Sequence, residues 1–124
     1  MLPLILDKTQ DTPGIILDAA QKHFWFTGTS IPENTHKFFD PVFVWIENYL
    51  KEPNQETIVN FKMTYFNTSS TKSLLDIMIL FKELAKNEKS LIINWYFPKE
   101  DEDMYEAGLG FSKMVRFPFN FINY

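Results

Sequence analysis

The sequence predicts a single α/β domain in which apolar runs and amphipathic helices follow one another in the order β-β-α-β-α-β-α-β. Three observations carry this. Val59, Phe61, Met63 and Tyr65 alternate with Asn60, Lys62 and Thr64, the period of a strand with one buried face. Phe38, Phe39, Val42, Phe43, Ile46, Tyr49 and Leu50 recur at spacings of three and four, as do Leu74, Leu75, Ile77, Met78, Phe81 and Leu84, the period of two amphipathic helices. The chain has 124 residues, 45% of them hydrophobic and 17% aromatic, one domain's length with enough apolar surface to fill a core. The domain is taken as residues 1–124, with one mixed sheet of about five strands and helices mainly on one face.

The elements follow in order. Two short apolar runs, at 14–18 and 22–27, are separated by Ala19, Ala20 and Gln21 and read as a hairpin. In the second run Phe24 and Phe26 face one way, His23 and Trp25 the other. A loop at 28–34 precedes a helix at 35–51, whose main part is expected to begin at Asp40-Pro41 after a preliminary turn. Val44 and Trp45 fall off its apolar stripe. The strand at 59–65 leads to a second helix at 70–86, and a strand at 90–97 places Leu91, Ile93, Trp95 and Phe97 on one face. A short helix at 101–111, weakened by Gly108 and Gly110, precedes a last strand at 117–123, where Pro118 suits a sheet edge. Asn60, Lys62, Thr64, Asn94 and Asn120 all fall opposite the apolar faces of their strands. The second sheet face is then left to water or to another subunit. Trp25 and Tyr96 would lie there, which makes a homodimer one option and ordinary exposed aromatics the other.

Composition removes several function classes. The formal charge is −4, the sequence pI is about 5.1 and Arg116 is the only arginine, the opposite of a nucleic-acid binder's basic footprint. Cysteine is absent, which excludes disulfides, thiolate metal sites and cysteine nucleophiles. The opening run Met1 to Leu6 is short for a signal peptide and no window reaches the length of a membrane span, so a cytoplasmic location is expected. His23 and His36 have no partner nearby in sequence, and no phosphate-binding glycine loop, nucleophile elbow or zinc spacing is present. Neither a metal, a cofactor nor an activity of its own is expected. The run Glu100 to Asp103, with Glu106 beyond, reads as acidic side chains complementing a helix's positive end. Its rival is a docking surface for a basic partner.

The loop after the central strand stands apart. Asn67 is followed by four hydroxyl side chains, Thr68, Ser69, Ser70 and Thr71. Such residues cap helices by accepting from orphan N–H groups, and Ser73 with Asp76 fits a loose capping box that would start the helix later. The same position suits a phosphate. A helix start offers free donors and partial positive charge, and phosphorylation adds about −1.5 to −2 charges at neutral pH. Lys72, four residues beyond Thr68, is placed to pair with it.

An ordered set of motifs spans the chain: Thr9-Gln10-Asp11-Thr12-Pro13, Pro32-Glu33-Asn34, Tyr65-Phe66-Asn67-Thr68-Ser69-Ser70 with Lys72 and Leu75-Asp76-Ile77, and Phe117-Pro118-Phe119. In this order they resemble the SiaC family of bacterial regulatory phosphoproteins. The resemblance implies a STAS-like fold, similar to anti-sigma-factor antagonists, with Thr68 as phospho-acceptor. It further implies a kinase of the histidine-kinase-like ATPase type, a type-2C protein phosphatase that reverses it, and an unphosphorylated form that binds a diguanylate cyclase. That binding would raise cyclic di-GMP and favour biofilm. Ser69 and Ser70 remain competing acceptors. Adjacency to the loop nominates Glu33, Asn34, Tyr65, Asn67, Ser69, Ser70, Lys72 and Asp76 as partner contacts. The alternative from another class is a small anion- or nucleotide-binding domain that uses residues 67–71 at the helix start.

Overall fold

The computed structural model describes residues 1–124. The elements are β1 (Leu4–Leu6), β2 (Gly14–Asp18), β3 (His23–Ser30), α1 (Thr35–Tyr49), β4 (Glu56–Phe66), α2 (Thr68–Lys86), β5 (Ser90–Phe97), α3 (Glu102–Val115) and β6 (Asn120–Asn123). They form one six-stranded sheet whose spatial order is the order in the chain, β1 to β6. β1, β2 and β3 are antiparallel neighbours, and β3 through β6 are parallel. Each parallel step carries one helix. Right-handed crossovers that always step in the same direction put every helix on the same sheet face. α2 accordingly packs between α1 and α3.

The core fills the space between these helices and the inner sheet face. It is built on rings, as thirteen phenylalanines require. Phe26 stacks on Phe61 at 4.8 Å, and Phe24 meets Tyr49, Trp45 and Phe81 at 5.2, 6.0 and 6.2 Å. Trp95 sits at the far end against Phe61, Phe66 and Phe111. Offset and edge contacts of this kind add about 0.5–1.5 kcal/mol per pair beyond area burial.

Several expectations need correction. The sheet has six strands, not five: β1 was not anticipated. It is three residues long, too short to show a period, and it is held by pairing to β2, with Leu4 opposite Leu17. Its presence also explains Trp45. That side chain, off the main stripe, is buried, and its Nε1–H donates to the Leu2 carbonyl at 2.8 Å. α1 is continuous from Thr35, with Pro41 inside it and Asn34 as its cap. α2 starts at Thr68 rather than Ser70, so the box at Ser73 does not open it. α3 runs on to Val115 through both glycines. Gly108 is required there, since a Cβ would collide with Cδ1 and Nε1 of the Trp95 indole. The helix ends only where Arg116 turns left-handed at φ 60°. β6 begins at Asn120, which leaves Pro118 outside the sheet.

The open face carries the polar residues expected of it. Asn120 donates to Asn94 at 3.1 Å, Asn94 to Asn60 at 2.9 Å, and Asn60 to the Phe24 carbonyl at 3.4 Å. This amide ladder crosses four strands. Trp25 and Tyr96 lie on the same face but pack on each other, with centroids 5.5 Å apart. Lys62 covers the ring of Tyr124 at 4.5 Å.

Candidate functional site

β3 and β4 run parallel and end side by side, with Ser30 opposite Phe66. The helices that follow them therefore start at the same edge of the sheet. Crevices outside the carboxyl ends of parallel strands are where such folds place their sites. Asn34 caps α1, its Oδ1 accepting from Lys37 N at 3.0 Å. Asn67 caps α2 in the same way, accepting from Ser70 N at 3.0 Å.

The hydroxyls of the 68–71 run divide sharply. Ser70 is fully buried, donates to the Ser30 carbonyl at 2.9 Å and meets the Ser30 hydroxyl at 2.7 Å. The same carbonyl accepts from Asn67 N at 3.1 Å, so the end of β3 anchors the start of α2. Thr71 turns back to the Asn67 carbonyl at 3.0 Å. Ser69 donates to Asn67 Oδ1 at 3.1 Å and meets Thr35 Oγ1 at 2.7 Å, clipping the two helix starts together. Thr68, the first residue of α2, is exposed and is the one member of the run whose hydroxyl takes no part in these bonds.

Thr68 opens onto a cleft of about 500 Å³ between the two helix starts. Glu33, Asn34, Thr35, His36 and Phe43 line one wall; Thr68, Ser69, Lys72, Ser73 and Asp76 line the other. Lys72 pairs with Asp76 at 3.3 Å across one turn, the lysine largely in water and the carboxylate half-buried. Of the residues nominated from sequence, Glu33, Asn34, Ser69, Lys72 and Asp76 thus join Thr68 in one place. Tyr65 is exposed at the end of β4, outside the cleft walls. Ser70 is corrected: it faces inward and presents nothing to a partner.

Ser30, Thr35, His36, Phe43 and Ser73 belong to the site and were not nominated. A signal for part of this was present. Both helices open with the dipeptide Asn-Thr, at 34–35 and 67–68, the composition of a cap followed by a first turn. The acidic run has a local structural role, with Asp101 capping α3 by accepting from Met104 N at 2.9 Å. No group of three or more His, Asp or Glu residues comes together as a metal site, and no helix is long and apolar enough to cross a membrane.

The fold and the site define a small single-sheet α/β domain that presents one free hydroxyl at a helix start. The family model described as SiaC family regulatory phosphoprotein matches residues 6–124, and the chain belongs to that family. It is 29% identical over 119 residues to an uncharacterised protein of Pseudomonas aeruginosa strain UCBPP-PA14, covering 96% of this chain and 94% of that one. The crystal structure of apo-SiaC from Pseudomonas aeruginosa superposes with a TM-score of 0.88 at 28% identity, covering 98% of this chain and 99% of that chain. SiaC in the crystal structure of the diguanylate cyclase SiaD with its activator SiaC, from the same organism, gives 0.90 at 28% identity and the same coverage.

Proposed function

We propose that this chain is a non-enzymatic switch protein of the cytoplasm, reversibly phosphorylated on Thr68. The observation that carries this reading is the division of the hydroxyl run. Ser69, Ser70 and Thr71 are held by internal hydrogen bonds, while Thr68 stands exposed and free. Phosphorylating Ser70 would require unfolding the start of α2. In the reaction a partner kinase, of the histidine-kinase-like ATPase type, directs Thr68 Oγ1 at the γ-phosphorus of ATP. The Oγ1–P bond forms, the bond to the bridging oxygen breaks, ADP leaves and the hydroxyl proton passes to the kinase. A type-2C protein phosphatase returns the threonine by hydrolysis.

The unphosphorylated form is proposed to bind and activate a diguanylate cyclase, raising cyclic di-GMP and favouring biofilm. The complex of the related SiaC with SiaD supports this choice of partner. The contact surface is proposed to run over Glu33, Asn34, Tyr65, Ser69, Lys72 and Asp76, with Asn67 shaping the loop beneath. A phosphate on Thr68 would add bulk and about two negative charges at the centre of that surface, while the packed core below stays in place.

The test is phosphopeptide mass spectrometry after incubation with ATP and the kinase encoded nearest this gene, alongside binding measurements with Thr68→Ala. The expected result is one phosphate on Thr68, removed by the neighbouring phosphatase, and a Thr68→Ala protein that binds the cyclase whether or not kinase is present. An unmodified Thr68 with an active kinase would overturn the switch. A rise in melting temperature with phosphate or nucleotide would then support an anion-binding domain instead.

A further inference from the structure

We propose that a phosphate on Thr68 is received by this chain itself: Lys72 leaves Asp76 to pair with it, His36 approaches it from α1, and the Asp76 carboxylate is left uncompensated on the surface of α2. The proposal rests on Thr68 being the phospho-acceptor and concerns what the modified protein then does.

Thr68, Lys72 and Asp76 succeed one another at intervals of four on α2, so each is the neighbour of the next on one helix face. At present Lys72 has one anionic partner, Asp76, at 3.3 Å. Three comparisons favour the exchange. A phosphate carries up to two charges to the carboxylate's one. An acid N-terminal to a base at this spacing is the better orientation, and Thr68 is N-terminal to Lys72 while Asp76 is C-terminal to it. The helix start also stabilises an anion at Thr68, and that effect falls off within the first turn, before Asp76 is reached. The existing pair has little to hold it, because the side chains are 77% and 43% exposed.

The cleft carries further polar groups on its other sides. Ser73 is 8% exposed and its hydroxyl, absent from the bonds that tie the loop, lines the same cavity as Thr68. The Thr35–Ser69 clip ties the start of α1 to that of α2, and His36, one residue beyond Thr35, lines the same cleft. Glu33, His36, Lys72 and Asp76 are the charged or titratable groups facing the cleft. Glu33 and Asp76 oppose the phosphate, and the Lys72 ammonium is the full cation available to it. The consequence reaches along the helix. Eight residues separate Thr68 from Asp76, about 12 Å of helix, so one modification changes charge at two points of the proposed partner surface.

The test uses the full chain with phosphothreonine installed at position 68 during synthesis, so that no kinase is needed. Phosphorus NMR follows the second ionisation of the phosphate, and carbon NMR follows the Asp76 carboxylate. Lys72→Gln should raise the second ionisation by about half a pH unit, and His36→Gln by less. Phosphorylation should shift the Asp76 carboxylate signal in the native chain and much less in Lys72→Gln. A second ionisation that stays within about 0.1 unit in Lys72→Gln, or an Asp76 shift of equal size in both proteins, would overturn the exchange. Either result would leave Thr68 as acceptor untouched. Conversely, failure of every kinase to modify Thr68 would remove the switch without altering this measurement.

Discussion

Replacing Ser70 by alanine tests whether the start of α2 is anchored as the structure describes. The substitution removes a donor to the Ser30 carbonyl at 2.9 Å and the partner of the Ser30 hydroxyl at 2.7 Å. The carbonyl keeps its bond from Asn67 N, but the Ser30 hydroxyl is left buried without a partner. A lost neutral hydrogen bond costs about 1 kcal/mol and an orphaned buried hydroxyl a further 1–2 kcal/mol, so Ser70→Ala should cost about 2–3 kcal/mol. Ser30→Ala should cost about 1 kcal/mol, since the Ser70 hydroxyl still donates to the carbonyl. The double substitution leaves no orphan and should cost about 2 kcal/mol, giving a coupling of about 1–2 kcal/mol. At roughly 2.1 cal/mol/K of unfolding entropy per residue, a domain of this size loses about 4 °C per kcal/mol, so Ser70→Ala should melt roughly 10 °C lower. Urea denaturation of the four proteins measures the cycle. Strict additivity, or a Ser70→Ala protein within about 0.5 kcal/mol of the native one, would refute the anchoring.

Asn67→Ala removes the cap of α2 and should cost about 1–2 kcal/mol, seen as a melting point lower by about 4–8 °C with the fold unchanged by circular dichroism. Gly108→Ala would drive a methyl into the indole of Trp95, whose Nε1–H donates to the Met104 carbonyl at 2.9 Å. It should cost several kcal/mol and shift tryptophan fluorescence; the same change at Gly110, where a Cβ meets nothing within 4 Å, should instead stabilise the helix by about 0.5–1 kcal/mol.

What was legible in the sequence was what local pattern encodes. The alternation from Val59 to Tyr65 marks β4, and the stripe through Phe39, Val42, Ile46 and Tyr49 marks the buried side of α1. The hydroxyl run after Asn67 located one wall of the cleft. What was missed depends on residues far apart in the chain. Trp45 looked misplaced because its cover, Leu2, is 43 positions away. Ser30 showed no sign of a role because its partner Ser70 is 40 positions distant, and Thr35 meets Ser69 across 34. Gly108 read as a weakness in α3 because a glycine's spacing says nothing of the indole that occupies the missing side chain's volume. Strand order was equally invisible, since crossover rules fix the hand of each step but not its direction.

The sequential strand order bears on how the molecule is made. The strands are synthesised in the order in which they lie in the sheet, so each one that emerges can join the edge left by the one before it. No strand has to be threaded between two already placed, so the sheet can grow at its open edge while the ribosome is still extending the chain. The Ser30 hydroxyl, buried in the finished protein, waits without its partner until the first turn of α2 is released. Closing that contact joins the second parallel crossover to the first and completes the floor of the cleft, and it requires nothing of α2 beyond its first turn.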